Sequence, residues 1–233
     1  MSPTQHSNQA ALRETLHKLG LFRGLDDQAL DALVQTAIWR EYATGAVIFL
    51  EGDSAPALYY IQTGWVKVVK MAPDGREQIL YFWGPGDTFG GIGVFIKRPM
   101  PATAIALEPT GLWLLRRDAI AQLLTTQPAM AVQVIECMAN RMHELMALVA
   151  DLSLHTVTER FARLLLEEAE GDVLPRRRWA TQTELAARLG TVPDVLSRAL
   201  RTLVDGGLIA MDRHEIRILQ RQALEMLALV KTE

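Results

Sequence analysis

The sequence predicts an α+β fold: a small barrel or sandwich of short strands bracketed by helices, then a helical C-terminal third that closes with a hairpin. Three observations predict it. Short β-rich runs alternate with Gly-containing turns between residues 37 and 117, a heptad-like spacing of Met and Leu follows within 128–154, and a helix–Gly turn–helix pattern begins near residue 181. A length of 233 residues suits one large or two modest domains, and 49% apolar residues can fill packed cores. The apolar runs fall short of the ~20 residues needed to cross a bilayer. The N-terminus is polar and lacks the apolar core of a signal peptide. A soluble, cytoplasmic protein is expected. One cysteine, Cys137, cannot build a disulfide framework, a Cys-rich zinc site or a self-contained iron–sulfur cluster.

Residues 10–36 read as helical, with Leu12, Leu16 and Leu19 on one face and Leu30, Leu33 and Val34 on the next. Residues 37–117 read as strands: GAVIFLEGD, ALYYIQTGWVKVVK, REQILYFW and GLWLLRR, with PDG as a hairpin-type turn between two of them. The mouth of a small barrel is a common ligand site, and the Gly-rich stretch GDTFGGIGVFIKRPMPATAIA is a candidate cradle for a phosphate. From Asp118 the helical period returns. In 128–154, which opens on a Pro, Met138, Met142, Leu145, Val149 and Leu152 recur at spacings of 4, 3, 4 and 3. That seam suits either a helix packed on its own domain or a two-stranded dimer helix.

The C-terminal third carries the chemistry. Residues 174–221 hold nine Arg and no Lys against five acids, a local excess of four positive charges in a chain of net charge −3. Thr181 or Thr183 can cap a first helix, and Gly190 can end it through a left-handed turn. Thr191 and Asp194 have the spacing of a capping box for a second helix, with Pro193 tolerated in its first turn. Leu185, Ala186, Leu189, Val195, Leu196, Leu200, Leu203 and Val204 supply the buried faces. GGLIAMDRHEIRILQ then reads as a hairpin, which completes a winged helix-turn-helix whose second helix suits a DNA major groove. On that helix Asp194, Ser197, Arg198 and Arg201 share one face. Arg198 can bond guanine in a bidentate manner, Asp194 can accept from cytosine or steady Arg198, and Ser197 can bond either kind of group. Thr181 and Thr183 at a helix start, Arg176, Arg177 and Arg178 before it, and Arg213 and His214 at the wing are candidates for phosphate contacts. No H-E-x-x-H, G-x-S-x-G or paired His–carboxylate pattern points to an enzyme.

From about residue 12 to the end, the chain resembles the CRP/FNR family of bacterial transcription regulators. The resemblance rests on GAVIFLEGD with LYYIQTGWVKV, on PGDTFGGIGVF, on the long helix ending near HTVTERFARLL, and on TELAARLGTVPDVLSRALRTLVDGGLI. It implies a cyclic-nucleotide-binding-like β-roll over 1–127, a dimerisation helix over 128–154 and a winged helix-turn-helix DNA-binding domain over 155–233. It further implies a homodimer that binds double-stranded DNA at an inverted repeat and contacts RNA polymerase. PDVLSR resembles the E-x-x-S-R pattern of FNR-like and DNR-like members, with Asp194 in the Glu position, and implies a TTGA-like half-site. In members that bind cyclic nucleotide, Glu follows the Gly turn to hold the ribose, and an Arg–Ser or Arg–Thr pair holds the phosphate. Here those positions fall on Gly91 after Gly90 and on Met100, Pro101 and Ala102, so both charges are missing and cyclic AMP is disfavoured. A haem-based gas sensor, with His17 or His143 as axial ligand, and a regulator without any effector stay open as alternatives. Gly90, Gly91, Met100, Pro101 and Ala102 are expected to line an uncharged pocket, and Cys137 is read as a buried small apolar residue.

Overall fold

The computed structural model describes residues 3–54, 57–96 and 98–228. Its elements run α1 (Pro3–Lys18), a short 3-10 turn (Gly20–Phe22), α2 (Asp27–Thr36), β1 (Ile38–Tyr42), β2 (Val47–Phe49), β3 (Ala57–Thr63), β4 (Val66–Met71), β5 (Glu77–Trp83), β6 (Thr88–Phe89), α3 (Gly91–Phe95), β7 (Thr103–Ala106) and β8 (Thr110–Arg116). Then follow α4 (Arg117–Thr126), α5 (Pro128–Leu154), α6 (Val157–Glu168), β9 (Val173–Pro175), α7 (Gln182–Arg188), α8 (Pro193–Asp205), β10 (Ile209–Met211), β11 (Glu215–Ile218) and α9 (Arg221–Leu227). The chain divides into two compact units, one of residues through 70 together with 80–144, the other of 71–79 and 145 onward.

In the first unit, antiparallel pairing orders one sheet β1-β8-β3-β6 and a second β2-β7-β4-β5. The two-residue period of β3 explains its burial on both faces. Tyr59 and Ile61 join Phe49, Val66, Phe89, Met100, Ala104 and Leu112 in a core shared by both sheets. Leu58 and Tyr60 point the other way, where Leu12, Leu16, Leu30, Leu33, Ile120 and Leu123 of the helices cover the first sheet together with Trp113. The PDG turn joins β4 to β5, with Gly75 at φ +85°, a value that suits glycine.

The second unit has its own core, built from Phe161 and Leu165 of α6, Ala186 of α7, Leu196, Leu200 and Leu203 of α8, and Ile209, Ile216 and Ile218 of the wing. The expected hairpin is β10–β11, and β9 adds a third strand through Leu174 opposite Ile216. β9 falls in a stretch that the sequence left without an assigned element, because its three residues are too few to show a period. Val204 is exposed rather than buried.

Two expected caps come out differently. Thr181 does cap α7, its hydroxyl accepting from the Glu184 N–H at 3.2 Å. Thr191 does not cap α8: the N-cap is Val192, with extended backbone and no side-chain bond. Pro193 is the physical reason. A proline biases the preceding residue to extended geometry and, with its φ already helical and no N–H to satisfy, opens the helix itself. A capping box does form at α6, where Thr156 and Glu159 bond each other's backbone reciprocally.

Candidate nucleic-acid interface

The turn between α7 and α8 depends on Gly190. Its φ of +61° is the left-handed conformation expected from the sequence, and a Cβ there would run into Leu152, Gln78 and Arg160. The turn delivers α8 with its apolar face in the core and its polar face out. Asp194, Arg198 and Arg201 are exposed and Ser197 is half-buried. Among the described residues none of these three charged side chains has an ion-pair or hydrogen-bond partner, so of the two roles open to Asp194 the one that steadies Arg198 is not formed here. Free guanidinium groups on one helix face are ready donors for guanine edges and phosphate oxygens.

Around α8 the other predicted residues take up distinct states. Thr183 and Arg178 are exposed at and before the start of α7. Arg176 is instead structural: its Nη1 donates to the Asp212 carbonyl at 2.9 Å and its N–H to that of His214 at 2.7 Å, which ties the segment to the wing tip. There the Asp212 carboxylate accepts from the N–H groups of His214 (2.6 Å) and Glu215 (2.9 Å), which hold its pKa below the usual carboxylate range. Arg213 is exposed at this tip and donates from Nε to His214 Nε2 at 2.8 Å. One contact escaped the sequence reading. Ser197 Oγ donates to Oε1 of Gln182, the first residue of α7, at 3.2 Å. No spacing rule links positions fifteen apart, and only the packing of α7 on α8 brings them together.

The expected pocket in the β-roll needs correction. Met100 is 4% exposed and packs in the core with Phe49, Tyr59 and Phe89, whose rings lie 5.0–5.9 Å apart. Burial there pushes the Tyr59 hydroxyl up to about 12. Ala102 is buried, while Pro101 is exposed. Nor is the wall uncharged: Lys70 donates from Nζ to the Pro101 carbonyl at 3.0 Å and pairs with Glu51. Gly90, at φ +84°, lies so close to Tyr59 that a Cβ would sit 2.8 Å from its ring, and a Cβ on Gly91 would sit 2.8 Å from that of Phe95. The two histidines considered for haem, His17 and His143, are exposed, and Cys137 is half-buried rather than buried.

Along α5, Met138, Met142, Leu145, Val149 and Leu152 are all exposed, and Ile135, Met146 and Leu154 extend the apolar surface. Arg141 turns away from that seam. Its guanidinium lies 3.9 Å from the Trp83 ring centroid and 5.7 Å from that of Tyr81, itself stacked on Trp83, and it pairs with Glu144 at 2.9 Å. Among the described residues no helix is long and apolar enough to cross a membrane.

A strand-built roll followed by a long helix and a winged helix-turn-helix with a free basic face defines a DNA-binding transcription regulator rather than an enzyme. The family model of the cyclic nucleotide-binding domain matches residues 39–127, and that of the Crp-like helix-turn-helix domain matches 159–227. The chain is 29% identical to a CRP-like cAMP-activated global transcriptional regulator of Mycobacterium tuberculosis, over 91% of this chain and 97% of the relative. It is 26% identical to the transcriptional activator protein FnrA of Stutzerimonas stutzeri, over 87% and 84%. Among solved structures, FixK2 from Bradyrhizobium japonicum aligns with a TM-score of 0.75 at 25% identity, over 84% of this chain and all of that one. The chain belongs to the CRP/FNR family of transcription regulators.

Proposed function

We propose that this regulator is a cytoplasmic homodimer that reads an inverted-repeat promoter site with α8, contacts RNA polymerase, and is not controlled by cyclic nucleotide. The observation that carries the reading is the exposed face of Asp194, Arg198 and Arg201 beside Ser197, whose charged groups have no partner among the described residues. Arg198 reads guanine, Asp194 accepts from an amino group, and Arg201, Arg178, Arg213, Thr181 and Thr183 position the phosphates. The similarity of PDVLSR to the FNR-like pattern makes a TTGA-like half-site the first sequence to try.

Dimerisation through α5 is supported by its exposed apolar seam, with Met142 at 62% and Val149 at 63% exposure. On this reading residues 1–127 form the sensor, 128–154 the dimer helix and 155–233 the reading domain. The M. tuberculosis relative is described as cAMP-activated; the resemblance puts uncharged residues of this chain where such a ligand needs charges, which speaks against that ligand here. Gly91 has an aromatic ring where a longer side chain would go, and by the resemblance Met100–Pro101 or Pro101–Ala102 fall at the phosphate-binding positions. With His17 and His143 both exposed, no observation favours haem, and with Met100 packed in the core a regulator without a small-molecule effector fits best.

The test is an electrophoretic shift on a palindromic duplex at fixed salt. Arg198→Ala is expected to lose sequence preference while the residual, salt-dependent affinity remains. Equal weakening on all duplexes would show that α8 contacts only the backbone. Sedimentation of the free protein checks the dimer, which Met142→Glu is expected to split.

A further inference from the structure

The contact between Gln182 and Ser197 carries an inference about which base the protein reads, and it rests on the reading of α8 as the groove helix. A serine hydroxyl has one hydrogen and two lone pairs. Left free, it donates to the O6 of guanine or the O4 of thymine as easily as it accepts from the amino group of adenine or cytosine, so it discriminates poorly. Here the single hydrogen is already spent on Gln182 Oε1. Ser197 can then offer a DNA base only lone pairs. The same bond engages the Gln182 carbonyl and leaves its amide NH2, which has no partner among the described residues, as a pair of free donors at the exposed start of α7.

We infer that Gln182 and Ser197 act as one unit that selects adenine at one position of each half-site. The unit presents an acceptor beside a donor. The adenine edge presents the complement in the major groove, the N6 amino donor beside the N7 acceptor. Thymine and guanine place an oxygen against the Ser197 lone pairs and are rejected. Cytosine satisfies Ser197 through its amino group but has no acceptor of its own for the Gln182 amide, which would have to reach across to the O6 of the paired guanine. Gln182 is thus a specificity residue on the first helix of the motif, acting both directly and by fixing the direction of the Ser197 hydroxyl.

The experiment uses the full chain and a set of duplexes in which each half-site position carries all four base pairs in turn, with affinities read by fluorescence anisotropy at fixed salt. The native protein is expected to prefer adenine at one position by about 5- to 150-fold, the range of a good bidentate contact. Gln182→Ala is expected to remove most of that preference and leave the other positions unchanged. Gln182→Glu keeps the oxygen that accepts from Ser197 but lacks the amide donor; it should still reject thymine and guanine, with adenine no better than cytosine. In a Ser197→Ala background, Gln182→Ala should add little. Uniform weakening by Gln182→Ala, or a changed preference at a position that Ser197→Ala leaves alone, overturns the inference. A native protein indifferent to every base pair, with Arg198→Ala no different, overturns the reading of α8 itself. Matching thermal melts of the exposed Gln182 variants confirm that the fold is intact.

Discussion

The face of α8 and the wall around Gly90–Ala102 are the two places where the resemblance puts a charged ligand, and they treat their polar groups in opposite ways. On α8, Arg198 and Arg201 are exposed, with no partners among the described residues. In the roll, Lys70 is held by Glu51 and the Pro101 carbonyl, and Met100 fills the interior among aromatic rings. An exposed cation without an internal partner is ready for an anion, whereas Lys70 is already satisfied by two oxygens of its own unit. The contrast is physical, since a charged group gains most from a ligand when it gives up no internal partner to bind it.

The largest test of this contrast is Phe89→Ala in the roll. If the interior is closed, the variant loses about 3–5 kcal/mol in urea unfolding, as for other large core rings. A loss under about 1 kcal/mol would mean that the ring borders an open pocket, and the contrast would fail. Arg198→Ala comes next, with about 1–3 kcal/mol lost on the specific duplex and the thermal melt unchanged. Gly190→Ala sharpens the comparison from the structural side. A left-handed alanine costs about 1–2 kcal/mol before any clash, so the melting temperature falls and DNA binding falls with it. The aromatic core predicts a smaller, pH-dependent effect. The Tyr59 hydroxyl has its ordinary value of 10.0 raised to about 12 by burial. Its contribution to stability is complete below pH 10 and is lost as pH rises toward 12, where only the unfolded chain ionises freely. Tyr59→Phe should lack this alkaline step in unfolding curves. Last, calorimetric titration with cyclic AMP is expected to give no binding heat; a one-to-one isotherm would break the comparison outright.

Much of this was legible in the sequence. Gly190 is a left-handed turn, as its place after a helical pattern predicts, and the polar face of α8 lies on the outside, as its spacing predicts. Capping shows where legibility ends. Thr191 and Asp194 have the spacing of a box that Pro193 overrides, while Thr156 and Glu159 have the same kind of spacing and form one. The local pattern is the same, and a neighbouring proline decides between them. In the roll, the sequence shows Gly91 and Pro101 where the resemblance puts charges, but not that Met100 would plug the core or that Lys70, thirty-one positions from Pro101, would reach its carbonyl. The Gln182–Ser197 bond was hidden for the same reason: it depends on how two helices pack, which no single stretch of sequence encodes.

The Arg141 guanidinium over Trp83 has a consequence for measurement. An indole in face contact with a cation differs in emission from one in water or in hydrocarbon, and this one is held between a strand and the long helix. Trp83 is therefore an intrinsic optical gauge of the seat of α5 on β5. With the other four tryptophans replaced by phenylalanine, its spectrum would follow any movement of that helix as candidate effectors are added one by one, with no dye attached and whatever the chemistry of the molecule that moves it.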